Sequence, residues 1–375
     1  MKPSASSIQA DVRRIQRPND EVGDDKGAAR HSVSRNGILA NGQPQCVNWD
    51  QELAGGVPVC PLLVWSNGER VTKQGCVRRF VGTVLLLVAS APHAQELEPR
   101  LYANAPVGLN FAIAGYAYTT GGVVADPSVP LDNADIDVHS AVVAYAHSFA
   151  AWGRSAKFDA IGTYTTLSGR ADVAGRVQTR DVSGWGDPRV RVSINLHGAP
   201  ALRLPEMGRY RQDLIVGASL TAWVPVGQYD EQRLINIGTH RWSLKPEIGA
   251  SQAIGPWIVE LIGAAQFYED NDEFFGNSTR TQEAVYSVQG GGIRLFSSGA
   301  WLALFATYFT GGRTTVDGVR GADFKNNSRV GLTLSLPVNR NNSLKLYANT
   351  GVSTRTGADF DAVGMAWQYR WGGGL

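Results

Sequence analysis

The 375-residue sequence has few cysteines, no long hydrophobic run and no excess of charge of one sign. Its three cysteines, Cys46, Cys60 and Cys76, all precede residue 94, and their spacing matches neither a disulfide framework nor a zinc site. The longest apolar run, residues 80–92, is shorter than the ~20 residues that a membrane-spanning helix needs. The net charge of +2 gives no basis for nucleic-acid binding. These absences exclude a helical membrane protein, a disulfide-stapled domain and a nucleic-acid partner recognised by net charge.

Charged residues are also scarce, at 18% of the chain, where soluble domains usually have about a quarter. Glycine is abundant, with 43 residues, and aromatic residues make up 9%. A transmembrane β-barrel has this composition, because its strands alternate lipid-facing apolar residues with small or polar ones and never form a hydrophobic block. The composition therefore keeps an outer-membrane β-barrel open as a class.

A segment at 71–94 has the order of regions of a secretory signal peptide. Basic residues (Lys73, Arg78, Arg79) precede an apolar stretch at 81–89, and small residues follow. We predict cleavage between Ala94 and Gln95, which exports residues 95–375. After export we expect the chain to reside in the outer membrane of a Gram-negative bacterium.

Residues 1–70 show no sustained period of 2 or 3.6, and their charges are scattered among Ser, Asn and Gly. The sequence predicts a disordered extension there. Because a signal peptide normally begins the chain, we also expect translation to start near Val71 or Val77, which would make this extension an artefact of the assigned start. Residues 1–70 in the intact mass of the native protein would contradict that expectation.

In the exported part, residues 95–375, apolar and polar residues alternate with a period of 2, as they do along a β-strand. Val190, Val192, Ile194 and Leu196 alternate with polar residues, and eleven further segments show comparable patterns. The twelve predicted strands are 108–118, 135–149, 154–168, 187–197, 211–224, 241–253, 256–269, 281–296, 300–310, 327–337, 342–354 and 360–371. A soluble β-sandwich also alternates, but its strands average about 5–6 residues, whereas membrane strands need about 9–11. The lengths therefore favour a twelve-stranded antiparallel outer-membrane β-barrel.

The predicted connections alternate between long and short, as barrels with long outer loops and short periplasmic turns do. Long polar connections are expected at 119–134, 169–186, 225–240, 270–280 and 311–326. Pro246 falls inside a predicted strand, which predicts a bulge or a later strand start. Aromatic residues near strand ends predict lipid-headgroup girdles, and they are Trp152, Trp242, Trp257, Tyr268, Trp301, Tyr308 and Trp371.

The chain ends in alternating aromatic residues, Trp367, Tyr369 and Trp371. Such an ending is typical of the signal that the outer-membrane assembly machinery recognises by adding an edge strand. We expect that machinery and outer-membrane lipid to be partners of the chain, together with a small-molecule permeant.

Arginine supplies 20 of the 24 cationic residues after residue 94. Arg189, Arg191, Arg329 and Arg370 alternate with apolar residues and are the candidate pore-lining residues. There they would favour anions or carboxylated aromatic compounds, because arginine binds carboxylates and stacks on rings. The alternative is structural, because arginines also fill narrow barrels by pairing with carboxylates, here Asp159, Asp172, Asp181 or Glu260. We favour this structural interpretation.

The sequence contains no GxSxG or HExxH motif, and Asp270, Asp272 and Glu273 lack the pattern of a calcium loop. His139 and His147 each adjoin a serine, but neighbours on a strand point to opposite faces. We therefore expect no catalytic residues, no metal and no cofactor. A barrel enzyme acting on lipid and a non-conducting structural barrel remain the alternatives.

Several short motifs occur in order from about residue 97 to the C-terminus. They are LEPRLY at 97–102, NAPVG at 104–108, DPS at 126–128, GDPR at 186–189, VPVGQYD at 224–230, LINIG at 234–238, RWSLKPE at 241–247, GGRT at 311–314 and WQYRWGGG at 367–374. This series resembles the meta-pathway of phenol degradation family of bacterial outer-membrane, transporter-like proteins. His240 departs from the asparagine usual in the family. The resemblance implies an outer-membrane channel, and the family's name implies a link to aromatic compounds. The expected function is passive uptake of small, aromatic or hydrophobic compounds.

Overall fold

The computed structural model describes residues 98–121, 132–173, 176–355 and 360–375. The predicted extension at 1–70, the signal peptide at 71–94 and the cleavage site at Ala94 and Gln95 lie outside these residues. Within the described ranges, no helix is long and apolar enough to cross a membrane.

The described residues form seventeen strands and one short helix, α1 (Leu204–Met207). The strands are β1 (Leu109–Gly121), β2 (Asp132–Ala151), β3 (Arg154–Val173), β4 (Arg176–Trp185), β5 (Arg189–His197), β6 (Leu214–Trp223), β7 (Ser243–Ile254), β8 (Trp257–Tyr268), β9 (Asn271–Phe274), β10 (Ser278–Gln282), β11 (Val285–Leu295), β12 (Trp301–Gly311), β13 (Thr314–Val316), β14 (Val319–Arg320), β15 (Lys325–Pro337), β16 (Asn342–Ser353) and β17 (Phe360–Gly372).

The long strands form a closed antiparallel barrel. Its order is β2-β1-β17-β16-β15-β12-β11-β8-β7-β6-β5-β3, and the pairing of β2 with β3 closes the ring. Two strands pair with the same edge of β3: β5 with residues 156–161 and β4 with residues 164–173. Because β4 and β5 lie end to end, together they make one strand position of the barrel. The predicted fold class, an all-β antiparallel barrel of twelve strands, is confirmed.

Burial alternates along each barrel strand, as the pleat requires. In β12, Trp301, Ala303, Phe305 and Thr307 are buried, whereas Leu304, Ala306 and Tyr308 are exposed. The exposed set of the whole barrel is rich in large apolar residues, including Val143, Val192, Ile248 and Leu261. The barrel therefore turns an apolar face outward, toward lipid, and a mixed face toward its lumen.

The two ends of the barrel differ. At one end the connections are mostly short, such as the turn between β2 and β3 at 152–153 and the one between β7 and β8 at 255–256, and the C-terminus lies there. We call it the turn end, and the opposite end the loop end; in outer-membrane barrels these face the periplasm and the exterior. At the loop end β9, β10, β13 and β14 form a separate sheet of order β14-β13-β10-β9.

The long polar loop predicted at 169–186 is wrong. Residues 169–173 continue β3, and 176–185 form β4, paired with β3 from Tyr164↔Trp185 to Val173↔Arg176. The pair β2 and β3 is 20 residues long on each side, about twice what a membrane crossing needs. Beyond the lipid neither face has to be apolar, so this hairpin has the composition of a loop.

Two smaller expectations are also wrong. Pro246 lies within β7 without a bulge, because the register to β8 is the same at Leu244↔Phe267 and at Glu247↔Ala264 and the pairing is only interrupted between them. Trp301 and Tyr268 were expected in the lipid-headgroup girdles. Both lie on the lumenal face instead, where Trp301 is buried and Tyr268 lines the cavity described below.

Candidate functional site in the barrel lumen

The lumen contains a cavity of about 440 Å³, here called the chamber. Its walls come from inward-facing residues of most barrel strands. Four aromatic residues line it, namely Trp223, Tyr268, Phe309 and Phe360, and so do seven charged residues, namely Glu98, Asp187, Arg191, Arg241, Lys245, Glu247 and Lys325. The chamber is therefore large enough for a small solute and offers it both rings and charges.

Part of the lumen is charged because the register of four neighbouring strands, β3, β5, β6 and β7, places polar residues in rows. The inward-facing residues of these rows are Lys157, Ser193, Ser219 and Glu247 in the first, Asp159, Arg191, Thr221 and Lys245 in the second, and Ile161, Arg189, Trp223 and Ser243 in the third. We call the six charged members (Lys157, Asp159, Arg189, Arg191, Lys245 and Glu247) the charged wall. It contains four cations and two anions.

Ion pairs organise the charged wall. The Nε of Arg191 donates to Asp159 Oδ2 at 2.9 Å, and the Lys245 ammonium lies 3.2 Å from Glu247 Oε1. Glu247 also accepts hydrogen bonds from the hydroxyls of Ser219 and Thr221. Each acidic side chain of the wall is thus already engaged with a cation, Asp159 with Arg191 of the neighbouring strand and Glu247 with Lys245 of its own strand.

A third carboxylate reaches this wall from outside the barrel strands. Glu98 Oε2 lies 2.5 Å from Nη1 of Arg191 and 4.0 Å from Nη2 of Arg189. The Arg191 side chain is only 5% exposed, whereas that of Glu98 is 38% exposed, and both residues line the chamber. Arg191 is therefore held between a wall carboxylate and a carboxylate of the chain segment that precedes β1.

That segment, residues 98–108, crosses the lumen at the turn end of the chamber. The backbone N–H of Arg100 donates to Glu260 Oε2 on β8 at 2.9 Å, and its guanidinium lies 5.7 Å from the centre of the Trp301 ring on β12. On the other side of the barrel, the Lys157 ammonium donates to the carbonyl of Leu101. Contacts on β3, β5, β8 and β12 show that the segment bridges the lumen and narrows it.

Tyr102 fits into the lumen because two glycines of neighbouring strands leave space for its ring. A Cβ at Gly217 would lie 2.2 Å from Tyr102 Cδ1, and one at Gly249 would lie 2.6 Å from Tyr102 Cε2. The ring is 2% exposed and packs with Leu101, Ile215 and Ile262, and its hydroxyl lies 3.4 Å from that of Ser219. The paired glycines are thus a socket for the segment.

The next arc of the barrel has a different lumenal face. Ile258 of β8, Ile293 of β11 and Trp301, Ala303 and Phe305 of β12 are all buried and pack together. We call these five residues the apolar wall. Its side chains close this part of the lumen by direct packing.

At the loop end the connection between β6 and β7, residues 224–242, folds into the mouth of the barrel. Asp187 anchors it by accepting hydrogen bonds from the N–H of Gly227 and from the N–H and hydroxyl of Thr239, all within 2.8 Å. Ile235 of this connection packs on Ile136, Val138 and Leu167, which face the lumen. This inward loop forms the roof of the chamber.

The roof is tied to the separate sheet of the loop end. His240 stacks on Tyr229 with 4.7 Å between ring centres, and its Nε2 lies 2.9 Å from Glu273 of β9. The guanidinium of Arg241 donates to the side-chain carbonyl of Gln282 on β10. The connection 224–242 and the separate sheet therefore form one connected cap.

The four arginines that the sequence suggested as pore-lining do not share one place. Arg189 and Arg191 belong to the charged wall. Arg329 faces the lumen on β15, where its Nη2 donates to Asn349 Oδ1 and to the carbonyl of Phe360. Arg370 lies at the turn end, where its Nε donates to the carbonyl of Arg340 at 2.7 Å. The geometry thus brings together two of the four.

Sequence reasoning missed several residues of the chamber. Lys245 and Trp223 lie on predicted strands with the correct parity, so pairing the strands would have placed them. Glu98 precedes every strand, and only the LEPRLY motif drew attention to it.

The other candidates from the sequence lie away from the chamber. His139 and His147 are on the lipid-facing side of β2, bonded to Tyr116 and Asn110, while Ser140 and Ser148 face the lumen. Trp367, Tyr369 and Trp371 are exposed on the lipid-facing side of β17, which pairs with β1 to complete the barrel. Among the described residues, no group of His, Cys, Asp or Glu is arranged to hold a metal ion.

The closed barrel, with an apolar exterior and a lumen of mixed polar and apolar residues, defines an outer-membrane β-barrel. The sequence matches, over residues 114–368, the profile of the family described as "Putative MetA-pathway of phenol degradation". The chain belongs to this family, as the motifs suggested. A search of curated proteins gave no match.

Among the solved structures that the chain resembles, an outer membrane channel shares its fold. An outer membrane channel from Pseudomonas putida F1 is 19% identical, with a TM-score of 0.62, and the match covers 74% of this chain and 100% of that one. The transport unit of an autotransporter from Escherichia coli is 9% identical, with a TM-score of 0.42, over 78% of this chain and 97% of that one. The second likeness is too loose to support an inference.

Proposed function

We propose that the protein is a passive channel that lets small compounds, aromatic ones among them, diffuse across the outer membrane. The observation that carries the proposal is the chamber of about 440 Å³ in the middle of the barrel. Its aromatic and charged lining suits small amphipathic solutes, and a fully packed structural barrel would have no such space.

Both boundaries of the chamber support a channel. The floor is the segment 98–108 and the roof is the connection 224–242, and neither belongs to the ladder of barrel strands. Either can change position without breaking the hydrogen bonds that hold the barrel closed. The family name and the channel from Pseudomonas putida F1 agree with this function, which rests here on the geometry.

Planar-bilayer recording tests the proposal. Purified, folded protein in potassium chloride is expected to give discrete single-channel current steps, and heat-unfolded protein from the same preparation is expected to give none. A barrel that shows the heat-dependent gel shift of a folded outer-membrane protein but no current steps would contradict the proposal.

The proposal includes the route to the membrane. We infer export by the segment 71–94, cleavage after Ala94, and insertion guided by Trp367, Tyr369 and Trp371. N-terminal sequencing of protein from outer-membrane fractions is expected to begin at Gln95. Replacing the three aromatics by alanine is expected to reduce the amount of folded barrel in the membrane.

We further propose that the barrel has no enzymatic role. His139 and His147 point toward lipid and are bonded to Tyr116 and Asn110, while the adjacent serines point into the lumen. Neither histidine is therefore placed to activate its neighbour, since a general base must lie within hydrogen-bond reach of the hydroxyl. Phospholipid turnover by the pure protein that is lost on changing His139 or His147 to alanine would contradict this.

A further inference from the structure

The charged wall has an excess of positive charge that its own strands do not neutralise. Its cations are Lys157, Arg189, Arg191 and Lys245, and its anions are Asp159 and Glu247. Buried charges in a protein interior are stable only when they are paired, so a wall of this kind draws an anion from elsewhere. In this structure Glu98 is such an anion, with its Oε2 2.5 Å from Arg191.

Glu98 differs from the other two carboxylates in how it is held. Asp159 and Glu247 are fixed on strands β3 and β7, whereas Glu98 lies on the segment that crosses the lumen. Glu98 and Arg191 both line the chamber, so a solute in the chamber lies next to the contact between them. A carboxylate from solution can therefore replace Glu98 with no change in the barrel wall.

An aromatic ring has a place beside this position. Trp223 is the register partner of Arg189, in the third row, which is next to the row of Arg191 on the loop-end side. Trp223 also lines the chamber. The Lys245 ammonium lies 5.6 Å from the centre of its ring. A molecule with its carboxylate on Arg191 thus has an aromatic side chain of the chamber in the adjacent row, against which its own ring can pack.

We infer that Arg191, with Arg189, forms a carboxylate-binding site that Glu98 occupies in this structure, and that small aromatic monocarboxylates compete with Glu98 for it. The inference rests on the proposed function and deepens it by naming the class of permeant. Glu98 is then a built-in competitor whose displacement loosens the floor of the chamber.

The test measures binding separately from conduction. Benzoate is the probe, and benzamide is its neutral control of the same shape. Ligand-observed NMR on the folded protein in detergent gives the affinities of both for the wild type and the variants. We expect benzoate to bind about tenfold or more tightly than benzamide, because a charge-assisted hydrogen bond distinguishes them.

Two variants and one control assign the site. Glu98→Gln removes the competitor and is expected to tighten benzoate binding about tenfold, while Arg191→Gln is expected to weaken it about tenfold. Both variants should change the affinity for benzamide by less than about tenfold. Arg211→Gln is the matched control, because Arg211 is exposed at the turn end and bonds only backbone carbonyls of its own connection in the contacts described.

Several outcomes would overturn the inference. They are equal binding of benzoate and benzamide, unchanged or weaker benzoate binding in Glu98→Gln, and a loss in Arg211→Gln as large as in Arg191→Gln. Should Arg191→Gln fail to fold, Glu98→Gln still decides, because Glu98 lies outside the strands. Bilayer recording in potassium chloride alone tests the channel, so absence of current with selective benzoate binding would contradict the proposed function and leave the site standing.

Discussion

The charged wall and the apolar wall occupy adjacent arcs of the same lumen and are stabilised in different ways. The five side chains of the apolar wall pack on one another and need no partner from outside their strands. The charged wall contains more cations than anions, and Glu98 of the segment 98–108 supplies a further anion. The comparison teaches that the charged wall binds a carboxylate of the segment, while the apolar wall meets the segment through Arg100 at the ring of Trp301.

The largest loss of stability is expected when a residue of the charged wall is replaced. Arg191→Met leaves Asp159 without the guanidinium that now donates to it at 2.9 Å, in a wall where Arg191 is 5% exposed. Removing one partner of a buried ion pair costs about 3–5 kcal/mol, so the free energy of unfolding should fall by that amount. Urea titration of the folded barrel in detergent, followed by gel mobility, measures it. A loss below about 1 kcal/mol would mean that the wall is solvated and not buried.

Shortening a side chain of the apolar wall should lower the free energy of unfolding somewhat less than Arg191→Met does. Ile293 is fully buried between Ile258 and Ala303 on the neighbouring strands, so Ile293→Ala leaves a cavity. We expect a loss of about 2–4 kcal/mol in the same urea titration. Benzoate binding should not change, because no carboxylate contact is removed. If benzoate affinity fell as it does in Arg191→Gln, the two walls would not be functionally separate.

A smaller loss of stability, with a change in conduction, is expected at the glycine socket. Gly217→Ala places a Cβ 2.2 Å from Tyr102 Cδ1, which the ring avoids only by moving out of its place. Overpacking of this kind costs about 1–3 kcal/mol, and the displaced segment should widen the lumen and raise the single-channel current. Gly263→Ala is the control, because a Cβ there meets no atom within 4 Å. Equal currents in the two variants would contradict the role of the socket.

The smallest effect is expected from Tyr102→Phe. The change removes the hydroxyl that lies 3.4 Å from Ser219 Oγ but keeps the ring between the two glycines. At this distance the hydrogen bond is weak, so the free energy of unfolding should change by less than about 1 kcal/mol. Single-channel current should stay at the wild-type value. A current as high as in Gly217→Ala would show that the hydroxyl, and not the ring, holds the segment.

The barrel was predictable from the sequence because lipid imposes a strict alternation on its strands. In β5 the apolar residues at 190, 192 and 194 alternate with polar ones, and the structure places them on the outer face. The alternation is lost in β12, where residues 301–305 are apolar on both faces because the apolar wall lies behind them. That is why Trp301 was assigned to the wrong side.

The candidate site was predictable only in part. Arg189 and Arg191 stood out because they are polar positions of a clear strand, and strand pairing then brings Lys245 and Trp223 to them. The place of Glu98 follows from no local pattern, since residues 98–108 form neither strand nor helix and their position depends on contacts with four strands. Such contacts are long-range, and a single sequence contains no local signal for them.

The segment that crosses the lumen also constrains the order of assembly. Residues 98–102 precede every barrel strand in the chain, yet their partners lie as far along it as Glu260 and Trp301. Closing chain loops of this length is slow, so these contacts form only after the later strands are in place. The part of the barrel that is made first is therefore positioned last.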